Sequence, residues 1–194
     1  MSGVQIPPGA PIAMHEIIKQ HFLGTVSRAG HKYDYLLRHL PLVEKWANKL
    51  CALYPNANKN VVLGGVWLHD IGQVVGDENV DHAVNSEREA ISYLRGLNIN
   101  AETVEKVAHC ARSHRCKDVQ PNTLEAKIVA VADSASHMTD IVYIDMSNRG
   151  EVEKVKGKLE RDYRDTGLFP ELQSLVKPLY IAWKNLLDIY PREI

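Results

Sequence analysis

Apolar residues recur every three to four positions along almost the whole chain, and hardly anywhere at every second position. That period is helical, so each apolar stripe needs a neighbouring helix to cover it. Leu36, Leu40, Val43, Ala47 and Leu50 share one face of a helix predicted from about Tyr33 to Leu53, stopped by Tyr54-Pro55-Asn56. A second helix runs from about Asn58 to Leu68. The next is capped by Asp81 or by Ser86, where Ser86-Glu87-Arg88-Glu89 fits a capping box, and ends at Gly96-Leu97-Asn98. Ala101 to Ser113 carries the stripe Val104, Val107, Ala111. Pro121 to Glu125 starts a helix continued by Ala126 to Thr139. Glu151 to Asp165 reads as a charged helix with a solvated face. Leu172 to Tyr190 has Leu175, Val176, Leu179, Trp183, Leu186 and Leu187 on one side, with Pro178 bending it or falling in its first turns. The expectation is an all-α fold, a single domain of about six to eight helices with a C-terminal helical extension. Its expected parts are an N-terminal tail or cap over 1–20, a helical domain over 21–145, and C-terminal helices over 146–194. The last are expected to pack on the same domain or to form a homodimer contact.

Composition narrows the function classes. The chain has 194 residues, enough for one sizeable core, with ordinary hydrophobic (45%) and charged (24%) content. A net charge of -1 argues against a polyanion-binding surface, so a nucleic acid polymer is not an expected partner. A local basic pocket for one phosphate remains open. Three cysteines, an odd count without a secretory signal, point to a reducing compartment and a cytoplasmic location. No apolar run reaches the roughly 18 residues of a membrane span.

The tetrad His69-Asp70-Ile71-Gly72 closes the apolar run Val61 to Leu68. An imidazole and a carboxylate at the buried end of an apolar helix are costly unless compensated, and a divalent metal compensates both. A His-Asp pair alone is more often a hydrogen-bonded pair, so the other histidines matter. Metal ligands point inward and therefore lie on apolar faces. His39 is in line with Leu36, Val43, Trp46 and Leu50; His114 extends the stripe of Val104, Val107 and Ala111. Asp133 lies inside Ile128 to Ala132, where a carboxylate needs a cation or several hydrogen bonds. His82 sits beside Asp81 at a helix start. His109 is on the polar side, and His31, which precedes the stripe, is the weaker alternative to His39. Two imidazoles and two carboxylates, His39, His69, Asp70 and Asp133, thus form a candidate inward set. His82 and His114 extend it to a second metal or bind a phosphate as cations. The spacing of His109-Cys110 and His114-x-Cys116 does not place four groups on one side, which excludes a structural zinc site there. No Gly-rich phosphate loop or nucleophile elbow is present.

The order His39 … His69-Asp70 … Asp133 resembles the H…HD…D signature of the HD-domain superfamily of metal-dependent phosphohydrolases. The stretches "RHLPLVEKWANKL", "GGVWLHDIG" and "TLEAKIVAVADSASHM" resemble its ligand helices, and "DHAVNSEREAISYL" and "CARSHR" its intervening His-bearing segments. The resemblance spans about Tyr33 to Met138. It implies an HD-type helical fold holding one or two divalent ions (Mn, Fe, Co, Ni, Zn or Mg). His39, His69, Asp70 and Asp133 are the implied ligands; Asp70 bridges to a second ion bound by His82 and His114. Gln73 stands where the alarmone-hydrolase branch has a carboxylate, and Ser113 precedes His114 where another branch has paired histidines, so neither alarmone nor cyclic-dinucleotide cleavage is favoured.

The implied activity is hydrolysis of a nucleotide or other small phosphate ester by a metal-activated water. Asp70, His82 and His114 are the candidate catalytic residues, and His82 or His114 the proton donor to the leaving oxygen. Arg115, with Arg112 or Lys117, is the candidate phosphate contact. Tyr33, Tyr35 and Trp67 are candidates for stacking on a base. Two competing readings stand beside this: a di-iron HD-type oxygenase, and a non-catalytic helical module that binds a nucleotide or a partner.

Overall fold

The computed structural model describes residues 13–189. Among them there are nine α-helices and no strand: α1 (Met14–Ala29), α2 (Asp34–Leu53), α3 (Lys59–Leu68), α4 (His82–Gly96), α5 (Ala101–Ser113), α6 (Leu124–His137), α7 (Val142–Asn148), α8 (Val152–Thr166) and α9 (Pro170–Ile189). Two 3-10 turns, His31–Tyr33 and Ile71–Gln73, precede α2 and follow α3. The all-α expectation holds, with more helices than six to eight. The added elements are the short α7 and α1. Of the segment expected to be a tail or cap, 1–12 lies outside the described residues; from Met14 onward it is the start of α1, which buries Ile18 and, just past that segment, Phe22.

Helix α3 is the centre. Every residue from Val61 to Leu68 is buried, and α1, α2, α5 and α6 all pack on it. Full burial of each large apolar side chain there contributes roughly 1.5–3 kcal/mol. The contact is close because Gly65 has no side chain: a Cβ there would lie 2.6 Å from Cys110 Cβ on α5 and 3.1 Å from Val129 Cγ2 on α6. Asn58 starts α3, its side chain accepting from the Asn60 and Val61 amides at 3.1 and 3.3 Å. Asn100 and Thr123 cap α5 and α6 in the same way. Asp81, not Ser86, caps α4, accepting from the Ala83 amide at 3.0 Å. The Ser86 hydroxyl instead accepts from the Gly72 amide at 2.8 Å, tying the end of α3 to α4.

Helix α8 packs on α6 and α9. Its stripe Val155, Leu159, Asp162, Thr166 is buried, so the segment read as a solvated face carries two buried carboxylates, Asp162 and Asp165. On α9, Val176 and Leu187 are buried, while Leu175, Leu179 and Leu186 remain exposed. No helix among the described residues is long and apolar enough to cross a membrane.

Candidate metal centre

Five helices deliver the candidate ligands to one point. His39 comes from α2, His69 and Asp70 from the end of α3, His82 from the first residue of α4, His114 from the end of α5 and Asp133 from α6. Asp70 lies between two groups of imidazoles. Its Oδ2 is 3.5 Å from His69 Nε2 and 3.7 Å from His39 Nε2. Its Oδ1 is 3.3 Å from His82 Nε2 and 3.8 Å from His114 Nε2. Asp133 Oδ1 stands 3.0 Å from His39 Nε2 and 3.7 Å from His69 Nε2. Two donor triads have all their donor atoms within 4.8 Å of one another: His39, His69 and Asp133, and His69, Asp70 and His114.

The backbone sets which nitrogen faces inward. His69 Nδ1 is 2.7 Å from the Val66 carbonyl and His114 Nδ1 is 2.7 Å from the Ala111 carbonyl. A carbonyl can only accept, so Nδ1 carries the proton and Nε2 is turned toward the carboxylates. This is the arrangement by which an outer hydrogen bond orients a metal-binding imidazole. His39 Nε2, His69 Nε2 and Asp133 Oδ1 are buried without a hydrogen-bond partner. Orphaned polar atoms at one point cost free energy unless a cation joins them. The donor set, imidazoles with carboxylates, suits a divalent transition metal, so the residues present fit the implied group.

Electrostatics follow the geometry. Burial would raise the Asp70 carboxyl, but His69, His82 and His114 hold it well below the usual carboxylate range. Asp133 is likewise held low against its burial, by His137, His39 and His69. Burial would lower His69, yet Asp70 and Asp133 raise it to about 9. Burial and the neighbouring His69 push His114 down to about 3.

A cavity of about 670 Å³ opens onto this cluster, bordered by His39, Asp70 and His137 and by the cations Lys32, Arg38, Arg149 and Lys158. Arg38 is braced by Asp140 at 3.1 Å and Asp145 at 3.0 Å. Tyr35 and Gln73, hydrogen-bonded to each other, also border it. Burial and the Asp70 charge push the Tyr35 hydroxyl up to about 12.

Several expected residues are placed elsewhere. Arg115 does not border this cavity; it pairs with Asp81, the cap of α4, and so braces the turn that carries His82. Arg112 pairs with Asp118 and Glu87, and Lys117 with Asp81. His82 and His114 do not border the large cavity either; His114 faces a separate one of about 90 Å³ with Arg115, Asp133 and Lys158. The His31 side chain is fully exposed and paired with Asp34, so it is not an alternative to His39. Trp67 is core, 1% exposed, and not available for stacking. His109 accepts from the Asn122 amide away from the centre. The three cysteines are free.

Sequence reasoning missed His137. It lies one helical turn after Asp133, its Nε2 3.4 Å from Asp133 Oδ1, and its ring stacks on His39. The signal was available: a spacing of four on a helix puts two side chains on one face.

The HD domain family model matches residues 36–138, more than half of the chain. The chain belongs to the HD domain family. Every ligand candidate, from His39 to Asp133, falls inside the matched segment. The HD chain is also 30% identical over 121 residues to a tRNA (cytidine(56)-2'-O)-methyltransferase of Picrophilus torridus. That match covers 56% of this chain and 33% of the relative, so the HD chain corresponds to about a third of that protein. No solved structure matches.

Proposed function

We propose that this HD domain is a metal-dependent phosphohydrolase acting on a nucleotide or other small phosphate ester. The observation that carries the reading is the position of Asp70. Its two oxygens face different pairs of imidazoles, which meet where His69 and His114 form one donor triad with it, and the cluster opens onto a cavity with lysines, arginines and the carboxylates Asp140 and Asp145 on its other walls. His39, His69, Asp70 and Asp133 would hold one divalent ion, and His82 and His114, sharing Asp70, a second. A divalent ion in such a site lowers the pKa of a bound water and polarises a phosphoryl oxygen.

The chain's own groups do the rest. Lys32, with Arg149 beside Glu151 and Lys158 beside Asp162, supplies positive charge on the walls where a phosphate ester enters, of the kind oxyanion stabilisation uses. A cavity of about 670 Å³ matches a nucleotide-sized ligand. Tyr35, on its wall, presents a half-exposed ring to the remainder of such a substrate. His114, pushed down to about 3, is neutral at pH 7 and suits a ligand better than a proton donor. Arg115, engaged with Asp81, is reassigned from phosphate contact to support of His82.

The test is phosphate release from a panel of nucleotides and simple esters with Mn, Co, Ni, Zn and Mg, using His69→Ala and Asp70→Ala as controls. Metal-dependent release that both substitutions abolish is the expected result. A metal-loaded protein that releases no phosphate from any compound overturns the reading. The second reading, a di-iron oxygenase, draws on the same shared Asp70; about two irons per chain without phosphate release would favour it.

A further inference from the structure

We propose that the Asp162–His137 pair is a positioning element of the metal centre, which makes α8, outside the matched family segment, part of the site. Asp162 is 6% exposed, on a helix that the sequence presents as charged and solvated. Its Oδ2 accepts from the buried Tyr143 hydroxyl at 2.6 Å and lies 3.5 Å from Lys158 Nζ. The same oxygen stands 3.2 Å from His137 Nδ1, and His137 Nε2 stands 3.4 Å from Asp133 Oδ1. A carboxylate, an imidazole and a second carboxylate thus form one line, ending on the metal-ligand candidate contributed by α6. His137 lies parallel to the His39 ring, with centroids 5.0 Å apart, so it borders two ligands at once.

A buried carboxylate is weak evidence of a contribution to stability. Replacing a buried ionic group by apolar residues of similar volume is often neutral or stabilising. What Asp162 does have is a position set by Tyr143 and Lys158, with its Oδ2 3.2 Å from His137 Nδ1, a buried nitrogen with no well-aligned hydrogen bond of its own. The other nitrogen faces Asp133 at 3.4 Å, so the placing of the His137 ring sets the room Asp133 has to turn. Outer partners of this kind govern metal affinity by about 10–100-fold. The inference uses the metal reading of the site but not the hydrolase reading.

The experiment is a direct metal titration of the full chain by calorimetry, with the electronic spectrum of the Co-loaded protein as a second readout. The variants are Asp162→Asn, His137→Gln and Tyr143→Phe, with Glu160→Gln, an exposed residue of the same helix, as control. The expected result is a loss of metal affinity of about 10-fold or more in the first two, a smaller loss in Tyr143→Phe, and an altered Co spectrum. Melting temperatures of the metal-free variants report folding separately. If Asp162→Asn does not fold, His137→Gln and Tyr143→Phe decide the matter. Folded variants with wild-type affinity and spectrum overturn the inference, as does a wild-type chain that binds no metal. Variant-sensitive metal binding without phosphate release supports it while removing the hydrolase reading.

Discussion

Gly72 tests whether the close approach of α4 to the turn after α3 positions His82 at the candidate metal centre. A Cβ at Gly72 would lie 2.1 Å from the His82 carbonyl oxygen, 2.5 Å from the Ser86 amide nitrogen and 2.8 Å from Asn85 Cβ. Two of these are backbone atoms of the first turn of α4 and cannot rotate aside. Restoring ordinary contact in Gly72→Ala requires moving that turn by about 1 Å, against a close-packed interior. Overpacking of this kind costs about 1–3 kcal/mol. The shift also strains the 2.8 Å bond from the Gly72 amide to Ser86 Oγ, worth about 1 kcal/mol more. A total near 3 kcal/mol corresponds to a fall of about 6–12 °C in melting temperature for a domain of this size. The moving turn carries His82, 3.3 Å from Asp70 Oδ1, so ligation at the second site should weaken more than at the first. Thermal melting of the metal-free protein, followed by metal stoichiometry, reads both effects. A Gly72→Ala protein that melts like wild type and binds the same number of ions would refute the reasoning.

Three further outcomes are expected. Metal at about 100 times its Kd should stabilise the chain by about 2.7 kcal/mol, a rise of roughly 5–11 °C in melting temperature; Asp70→Asn should remove most of that rise, and an equal rise in the variant would show that the ion binds elsewhere. Metal affinity should climb with pH toward about 9, because His69, raised to that value by Asp70 and Asp133 against its burial, holds a proton that the ion must displace. The same shift stabilises the metal-free fold fully below the ordinary histidine value of 6.5, and that stabilisation is lost as pH rises through about 9; calorimetry in buffers of different ionisation enthalpy should find proton release on binding, and none would contradict the assignment. Finally, Lys32→Ala and Arg149→Ala should raise KM for a phosphate ester several-fold with little change in kcat, whereas Arg115→Ala, away from the cavity, should leave KM unchanged; the reverse ranking in steady-state kinetics would restore Arg115 as the phosphate contact.

The inward set was legible in the sequence because its members break a rule that the rest of each helix keeps. His39 among Leu36, Leu40 and Val43, and Asp133 after Ile128 to Ala132, are polar groups on apolar faces. Helical phase alone assigns them to the interior. Asp162 follows the same logic, seven residues after Val155 and three after Leu159, yet it is hidden by composition: the surrounding lysines, arginines and glutamates make the helix read as solvated. Helix α1 escaped for a different reason. It begins after a Pro- and Gly-rich stretch, and Ala13 at its start makes no side-chain capping bond, so no local start signal announces it. On α9, periodicity marks an amphipathic helix but not how much of the apolar face is covered; Leu187 is buried and Leu186 beside it is exposed.

Pairwise contacts between distant helices are the part that periodicity does not encode. The path from Asp162 to Asp133 runs through His137 and depends on α8 lying against α6, with Tyr143 of α7 holding the far end. Phase says that each of these residues points inward, and nothing local says which residue it meets. Arg115 makes the same point from the other side. Its position beside His114 suggests a role in phosphate binding, and what the sequence does not announce is its partner Asp81, thirty-four residues away at the start of α4. A residue type beside a ligand candidate defines what it is able to do; the neighbours that tertiary packing supplies are visible only in the fold.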